Sequence, residues 1–469
     1  MRRACSVAVV ALGCAAPPRA STPERAAPSL AITHVTVIDP RDGSALSDRT
    51  VEIAGDRIIA VAASSDTAVP PGVRAVDATG KFMIPGLWDM HVHTFFGTWV
   101  PGGKEVTLPL LLANGITGVR DMGSELEPIL DARAAIAAGR MVGPRLVIAG
   151  PMLDGPRTQF PASLAIATPD DGRRAVQMLA ARGVDFIKIQ SYVPRDAYFA
   201  IAEECRRRGI VFVGHVPDAV RGGEAAGAGQ KSFEHLIGIF EGSSTAEDAL
   251  LAGGKTPGKF LATYDPSKEA ALIRLLVDRQ IWQCPTLYWE RGQWLVDAID
   301  VSRDPDTRYA PVSWRERSWP RFTASILREL DTDPLEVRQR FVEHELGIVR
   351  RLHAAGVPLL AGTDTPAGVD VIPGMSLHRE LARLVDAGLT PLAALQTATI
   401  NPARFLGRLA ELGTVEPGKL ADLVVLDRDP RADIAATRAI AAVIAAGRYR
   451  SRAELDAMLR DVAAAARTL

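Results

Sequence analysis

Cysteine is scarce: the 469 residues contain four, Cys5, Cys14, Cys205 and Cys284. Two fall within the first 14 positions and the other two stand far apart, so no disulfide framework and no paired-cysteine zinc site is implied. Buried free thiols are expected at Cys205 and Cys284. Aromatic residues are few, at 6%, and no long run of one charge sign interrupts a formal net charge of -1. Such a chain lacks the electrostatics expected of a protein whose main partner is nucleic acid or an anionic membrane. No internal repeat is visible, and the apolar run from Val7 to Leu12 is too short to span a bilayer.

What is present is an ordinary globular balance, 47% hydrophobic and 23% charged, in a chain long enough to bury a large core. The N-terminus has the pattern of an export signal. Arg2 and Arg3 precede the short apolar run, and Ala11-Leu12-Gly13-Cys14 resembles a bacterial lipoprotein signal cut before Cys14. The expectation is an exported protein, periplasmic or lipid-anchored to the envelope through Cys14. A Pro-, Ala- and Ser-rich linker follows to residue 29.

Strand patterns fall at both ends. Residues 31–38 are rich in β-branched side chains, and 51–61 form a hairpin around Ala54-Gly55-Asp56-Arg57. Near the other end, residues 413–427 carry a second turn-flanked pair, with Pro417-Gly418 as the turn and 421–426 as a buried strand; 439–446 could add another. These pieces predict one small sheet domain assembled from both termini. Between them, short apolar strands alternate with helical stretches such as 171–182 and 195–208, the signature of parallel βα units. Eight candidate strands cover 87–93, 116–122, 145–149, 186–190, 210–215, 232–236, 281–286 and 358–364. The fold class expected is α/β: a TIM-like (β/α)8 barrel with a small β-sandwich domain built from both chain termini. The divisions are 1–29 (leader and linker), 30–84 (first part of the sandwich), 85–408 (barrel), 409–450 (second part of the sandwich) and 451–469 (C-terminal helix). The charged, Trp- and Arg-rich stretch 290–356 is expected to be helical and to cover part of the barrel mouth.

Barrel enzymes place their chemistry at the C-terminal ends of the strands, and polar residues gather there. The first strand ends in Trp88-Asp-Met-His-Val-His93. Residues i and i+2 of a strand face the same way, so His91 and His93 can share one metal ion. The fourth strand carries Lys188 among apolar neighbours, where a charged ammonium is costly. The fifth ends in His215, the sixth in His235 and the eighth in Asp364. Four histidines and an aspartate at one end of one barrel are hard to explain as packing.

With these residues the chain resembles the amidohydrolase superfamily, near its imidazolonepropionase-like and Xaa-Pro dipeptidase-like branch of metal-dependent hydrolases. The likeness extends over nearly everything after residue 29. It includes Pro85-Gly86 before the His-x-His pair, Gly118-Val-Arg-Asp121 on the second strand, and Pro417-Gly418-Lys419-Leu-Ala-Asp422. The resemblance implies two divalent metal ions. His91, His93 and Asp364 would hold the more buried ion, His215 and His235 the second, and Lys188, carboxylated by CO2 to a carbamate, would bridge them. Zinc suits the imidazole and carboxylate donors best. The implied reaction is hydrolysis of a C–N bond, an amide or cyclic amide, in an N-acyl amino acid or dipeptide. A metal-bridging hydroxide would attack, and Asp364 would serve as general base and then general acid.

Substrate contacts are sought among Arg157 in the loop after the third strand, Tyr192 after the fourth, Tyr288 after the seventh and His378 after the eighth. A tyrosine could steady an oxyanion and an arginine a carboxylate. Gln190-Ser-Tyr192-Val-Pro194 departs from the Ser-Gly-Gly segment of some dipeptidase relatives, which puts transfer of their peptide specificity in doubt and leaves the metal site untouched. The expected partner is a small-molecule substrate, and an oligomer is compatible with the sequence. Two alternatives use the same residues: an esterase, lactonase or phosphoesterase, and a non-catalytic envelope binding protein.

Overall fold

A computed structural model describes residues 27–330 and 333–469; Cys5, Cys14 and almost all of the expected leader and linker lie outside the described residues. Among the described residues, no helix is long and apolar enough to cross a membrane.

Both termini contribute to one eight-stranded sheet. Leu30–Ile38, Ala45–Ala54, Arg57–Ala63, Arg74–Asp77 and Phe82–Pro85 come from the N-terminal side, and Leu423–Leu426, Ile440–Ala445 and Arg448–Ser451 from the C-terminal side. The halves join where Leu423–Leu426 runs antiparallel to Phe82–Pro85. All four residues of Leu423–Leu426 are buried, because the strand is a wall between two cores. Leu423 and Val425 pack with Ile32, Ile53 and Met83 inside the sheet domain. Val424 and Leu426 face the other way, into the larger core. The two-residue period of a strand explains the division.

The expected hairpin turns at Gly55-Asp56, with Gly55 at φ +58°. The second turn-flanked pair does not form: only Leu423–Leu426 is a strand there. Around Pro417-Gly418 the backbone instead bonds to the hairpin turn, Gly418 N donating to Ile58 O and Ala421 N to Asp56 O. Pro417 has no N–H to support a strand before the turn.

In the α/β body, seven of the eight expected strands are present and each runs parallel to its neighbours. Leu87–Val92, Ile116–Asp121 and Arg145–Ile148 form one sheet. Phe186–Ile189, Val211–Gly214, Ser232–Glu234 and Trp282–Cys284 belong to a second, extended by two unexpected short strands, Met152–Asp154 and Ser163–Ala165. Asp185 N donates to Ile148 O between the two sheets. The eighth expected strand, 358–364, is not a regular strand. It makes isolated parallel bridges on both sides, Gln283 to Leu359 and Val92 to Thr365. Its backbone leaves extended geometry at Asp364, whose φ is +55°. Gly362 tolerates the close approach beside it, since a Cβ there would stand 2.5 Å from Cys284 Sγ. Consecutive strands pairing in sequence order, with helices between, make the body TIM-barrel-like.

The stretch after the seventh strand holds Leu287–Trp294, Trp319–Glu329 and Leu335–Ala354 as helices. Side chains of the second of these reach the cavity at the strand ends. The chain closes with the helix Arg452–Ala466, started by a capping box between Ser451 and Glu454.

Candidate metal centre

The six sequence-predicted donors come together. His91 Nε2 lies 3.2 Å and His93 Nε2 2.9 Å from Asp364 Oδ1, and His235 Nε2 is 4.0 Å from Asp364 Oδ2. The His215 and His235 rings are 5.0 Å apart. Lys188 and all four histidines line one cavity with Asp364. Two donors sit on backbone that ordinary strand residues avoid: φ is +59° at His235 and +55° at Asp364. Gly214 is required before His215, since a Cβ there would meet Ile189 O at 2.3 Å and Lys188 Cδ at 2.8 Å.

Each imidazole is held by its other nitrogen. His91 Nδ1 is 3.0 Å from Glu234 Oε2, and His93 Nδ1 is 2.8 Å from Gly123 O. Both partners only accept, so Nδ1 carries the proton and Nε2 keeps its lone pair in the neutral ring. His215 Nδ1 meets Ser191 Oγ and His235 Nδ1 meets Thr286 Oγ1, each at 2.7 Å. Burial holds His215 and His235 well below the usual imidazole range, in the neutral form that binds metals. Burial works against an ionised Asp364, but the surrounding imidazoles overcome it and hold the carboxyl well below its ordinary range.

Among the six predicted ligands, three buried atoms lack a hydrogen-bond partner: His91 Nε2, Lys188 Nζ and Asp364 Oδ1. Orphaned polar atoms are costly in an interior, and three in one place fit a cation and its bridging ligand. The donors of His91, His93 and Asp364 all lie within 4.8 Å of one another. Burial pushes the Lys188 amine down to about 8, which raises the share of its neutral form. His91, Glu234 and Cys284 also cluster within that distance. That group is not a metal site by its chemistry: Glu234 is committed to Arg120, and burial holds the Cys284 thiol well above its ordinary range.

The sequence reading assigned no role to the layer beneath. Arg120 is fully buried; its Nη2 donates to both Glu234 oxygens at 2.9 Å, its Nε to Met90 O and its Nη1 to Ser232 Oγ. Burial would raise Glu234, but Arg120 and His91 more than compensate and keep it ionised. Asp89 accepts from Thr363 Oγ1 at 2.7 Å and Thr363 N at 3.1 Å, tying the eighth segment to the first strand, and burial pushes it up to about 7. The signals were the i−2 and i−1 spacing from ligands, Asp89 before His91 and Glu234 before His235. The arginine of Gly118-Val-Arg-Asp121 was the third.

Substituting the hydroxyl partners tests the positioning directly. Thr286→Val or Ser191→Ala is expected to weaken metal binding by about 10–100-fold, measured by competition with a chelator. Unchanged affinity in both would show that these contacts do not orient the ligands.

The weaker candidates divide. Tyr192 lines the cavity and is 47% exposed. Arg157 is exposed and does not line it. Tyr288 does not either: its hydroxyl is 2.9 Å from Asp370 Oδ2 and takes a bond from Arg379 Nη1 at 2.6 Å. His378 is buried elsewhere, Nδ1 on Thr437 Oγ1 and Nε2 on Asn114 O, where it links a barrel helix to the C-terminal segment. Proximity in sequence misplaced Tyr288 and His378 because their side chains bond to partners away from the cavity, and Arg157 because its loop leaves it exposed to solvent.

The cavity is about 620 Å³. One wall is a chain of rings leading outward from His93: Phe96 at 4.6 Å, Phe160 at 5.2 Å from Phe96, Trp99 at 5.2 Å from Phe160, and Phe322 at 5.6 Å from Trp99.

Parallel βα units with histidines, a lysine and an aspartate at the strand ends form a candidate metal site on a TIM-barrel-like fold. The Amidohydrolase family profile matches residues 322–449. Ochratoxinase of Aspergillus niger is 24% identical over 462 residues, covering 86% of this chain and 82% of that protein. Dihydroorotase of Pelotomaculum thermopropionicum is 25% identical over 425 residues, covering 85% and 89%. Among solved structures, bottromycin amidohydrolase superposes with a TM-score of 0.70 at 26% identity, covering 93% of this chain and 90% of that one. Residues 322–449 thus match the Amidohydrolase family, and over most of its length the chain is similar to hydrolases of that superfamily, which supports a hydrolase acting on carbon–nitrogen bonds.

Proposed function

We propose that this protein is a binuclear metal-dependent amidohydrolase acting on an N-acyl amino acid or dipeptide, on a closed (β/α)8 barrel flanked by a β-sandwich. The observation that carries the reading is the set of imidazole Nε2 atoms around Asp364 beside a buried Lys188 Nζ without a partner. His91, His93 and Asp364 would hold one ion and His215 and His235 the other, with Lys188 joining them as a carbamate. Zinc suits these donors, which include no thiolate. Bound there, divalent cations lower the pKa of water and polarise a carbonyl.

The chain's own residues do the rest. The Nδ1 partners hold each ring in place, so its Nε2 is presented without reorganisation. Asp364 sits where it can take a proton from the attacking water and deliver it to the leaving nitrogen. The aromatic wall and the helix Trp319–Glu329 shield the site from bulk water. An apolar or aromatic acyl group fits the wall from Phe96 to Phe322, and the similarity to ochratoxinase and bottromycin amidohydrolase supports an amide substrate.

Dialysis against a strong chelator is expected to abolish hydrolysis of N-acyl amino acids and dipeptides, and one to two equivalents of zinc should restore it. Full amide hydrolysis by metal-free protein would sink the metal reading. Cleavage of lactones or phosphotriesters with no amide cleaved would replace the amide reading.

A further inference from the structure

The cavity continues beyond the metal centre on the side of the helix Leu287–Trp294, and its chemistry changes there. Glu290 lines this part and is 3% exposed. Beside it, Glu345 is buried too and accepts the Trp294 indole N–H at 2.7 Å. Among the described residues, neither carboxyl forms an ion pair. Of the basic side chains lining the cavity, Lys255 is already matched, 2.7 Å from both Asp218 and Glu241, Arg321 lies over the Trp99 ring, and neither of these nor Arg328 forms an ion pair with Glu290. A buried carboxyl facing a cavity with no basic partner is electrostatically incomplete. Burial and the neighbouring carboxylates hold Glu290 well above its ordinary range, as expected for an acid awaiting a cation.

The surrounding side chains are suited to the same guest. Trp294 lies one turn from Glu290 on its helix, and Phe240 and Phe260 line the cavity with it, their rings 5.2 Å apart; Trp289 instead packs on His235 at 4.6 Å. Trp294 and Phe240 both pack on Phe341, 5.2 and 5.0 Å away, which fixes the rings in place. Aromatic faces attract cations through the ring quadrupole, and a desolvated box strengthens the effect. A carboxyl within such rings recognises an ammonium group and discriminates against a neutral one of the same shape. The opposite wall, from Phe96 to Phe322, has rings and no acid in its chain of contacts.

We infer that Glu290, beside the aromatic wall of Trp294, Phe240 and Phe260, is the specificity residue that binds a cationic amino group of the substrate. The substrate class is thereby an amide bearing a primary ammonium on one side and an apolar or aromatic group on the other. This rests on the reading of the cavity as the substrate site of an amide hydrolase. Glu290 takes no part in the bond cleavage: the ammonium is held as an ion pair, and substrate binding draws the carboxyl into its ionised form.

The test uses binding, so it does not depend on turnover. The probes are 4-phenylbutylamine, protonated at neutral pH, and its neutral counterpart 4-phenylbutanol. Their dissociation constants are measured by calorimetry with the metal-loaded full-length protein and its Glu290→Gln variant. The amine is expected to bind the unmodified protein about tenfold or more tightly than the alcohol, and the ratio should fall below about twofold in Glu290→Gln. A ratio below about fivefold in the unmodified protein, or one that survives the substitution, overturns the assignment. The variant's melting temperature is followed in parallel; replacing an unpaired buried acid by an amide should not lower it. A second variant, Glu290→Ala, guards against a misplaced glutamine and should lose the preference as well. Failure of the metal-dependent amide reading would appear instead as absent hydrolysis, whatever the amine ratio.

Discussion

Asp364→Asn is expected to lower kcat/KM for amide hydrolysis by at least about 10³-fold, the upper range for loss of a positioned general acid–base group combined with loss of an anionic ligand. Two roles converge on this carboxylate. Its Oδ1 lies within 3.2 Å of two imidazole nitrogens and its Oδ2 is 4.0 Å from a third. The asparagine amide keeps the shape, but its nitrogen cannot accept a proton and the side chain no longer offsets a cation. Metal content, melting temperature and steady-state kinetics are measured on the same preparation. The left-handed backbone at this position is one that asparagine adopts readily, so the fold should persist. A variant with full metal content and activity within tenfold of the unmodified protein would remove Asp364 from the chemistry.

Lys188→Ala carries the second large effect. The side chain is 1% exposed and its Nζ has no partner, so its removal relieves an unsatisfied group and leaves a polar-walled hole. The fold should tolerate this, whereas metal binding should not. At least one of two ions is expected to be lost, with activity reduced by roughly 10²-fold or more. Short carboxylates such as acetate or propionate should restore part of both, because they fit the hole and supply the two oxygens a carbamate would. The measurement is metal content and activity with and without added carboxylate. Full occupancy in the variant with no carboxylate present would rule out the bridging role. Retained metal with lost activity would place Lys188 in another part of the mechanism.

Most of the metal centre was legible in the sequence, for a reason that lies in strand geometry. A polar residue that ends an apolar run stands at a strand end, and in parallel βα units those ends share one side of the sheet. His91, His93, His215, His235 and Asp364 could be found by that rule, one strand at a time, and Lys188 as a lone lysine among apolar neighbours within a strand. Arg120, Glu234 and Asp89 are equally buried but were less visible, because a charged residue inside a strand has no distinctive spacing when its partner is far off in sequence. Arg120 meets Glu234 across |i−j| = 114, and Thr363 meets Asp89 across 274. Tyr288, Arg157 and His378 show the opposite error. Their positions after strand ends suggested the site, but the helices of Tyr288 and His378 turn them to other partners and the loop of Arg157 leaves it in solvent.

By itself the sequence determined the alternation of strands and helices, the two-ended sheet domain, and the residue types able to hold metal ions. Each follows from local periodicity or from the chemistry of a single side chain. Only the tertiary structure decided that the eighth segment is irregular, with a positive φ at Asp364, and that one loop supplies two extra strands. It also decided that the helix Leu287–Trp294 sets Glu290 against the cavity while Tyr288, on the same helix, turns to Asp370 and Arg379. Those outcomes depend on which side chains meet across tens to hundreds of residues. Burial, charge pairing and close packing settle such meetings only when the whole chain has folded, and no local pattern carries them.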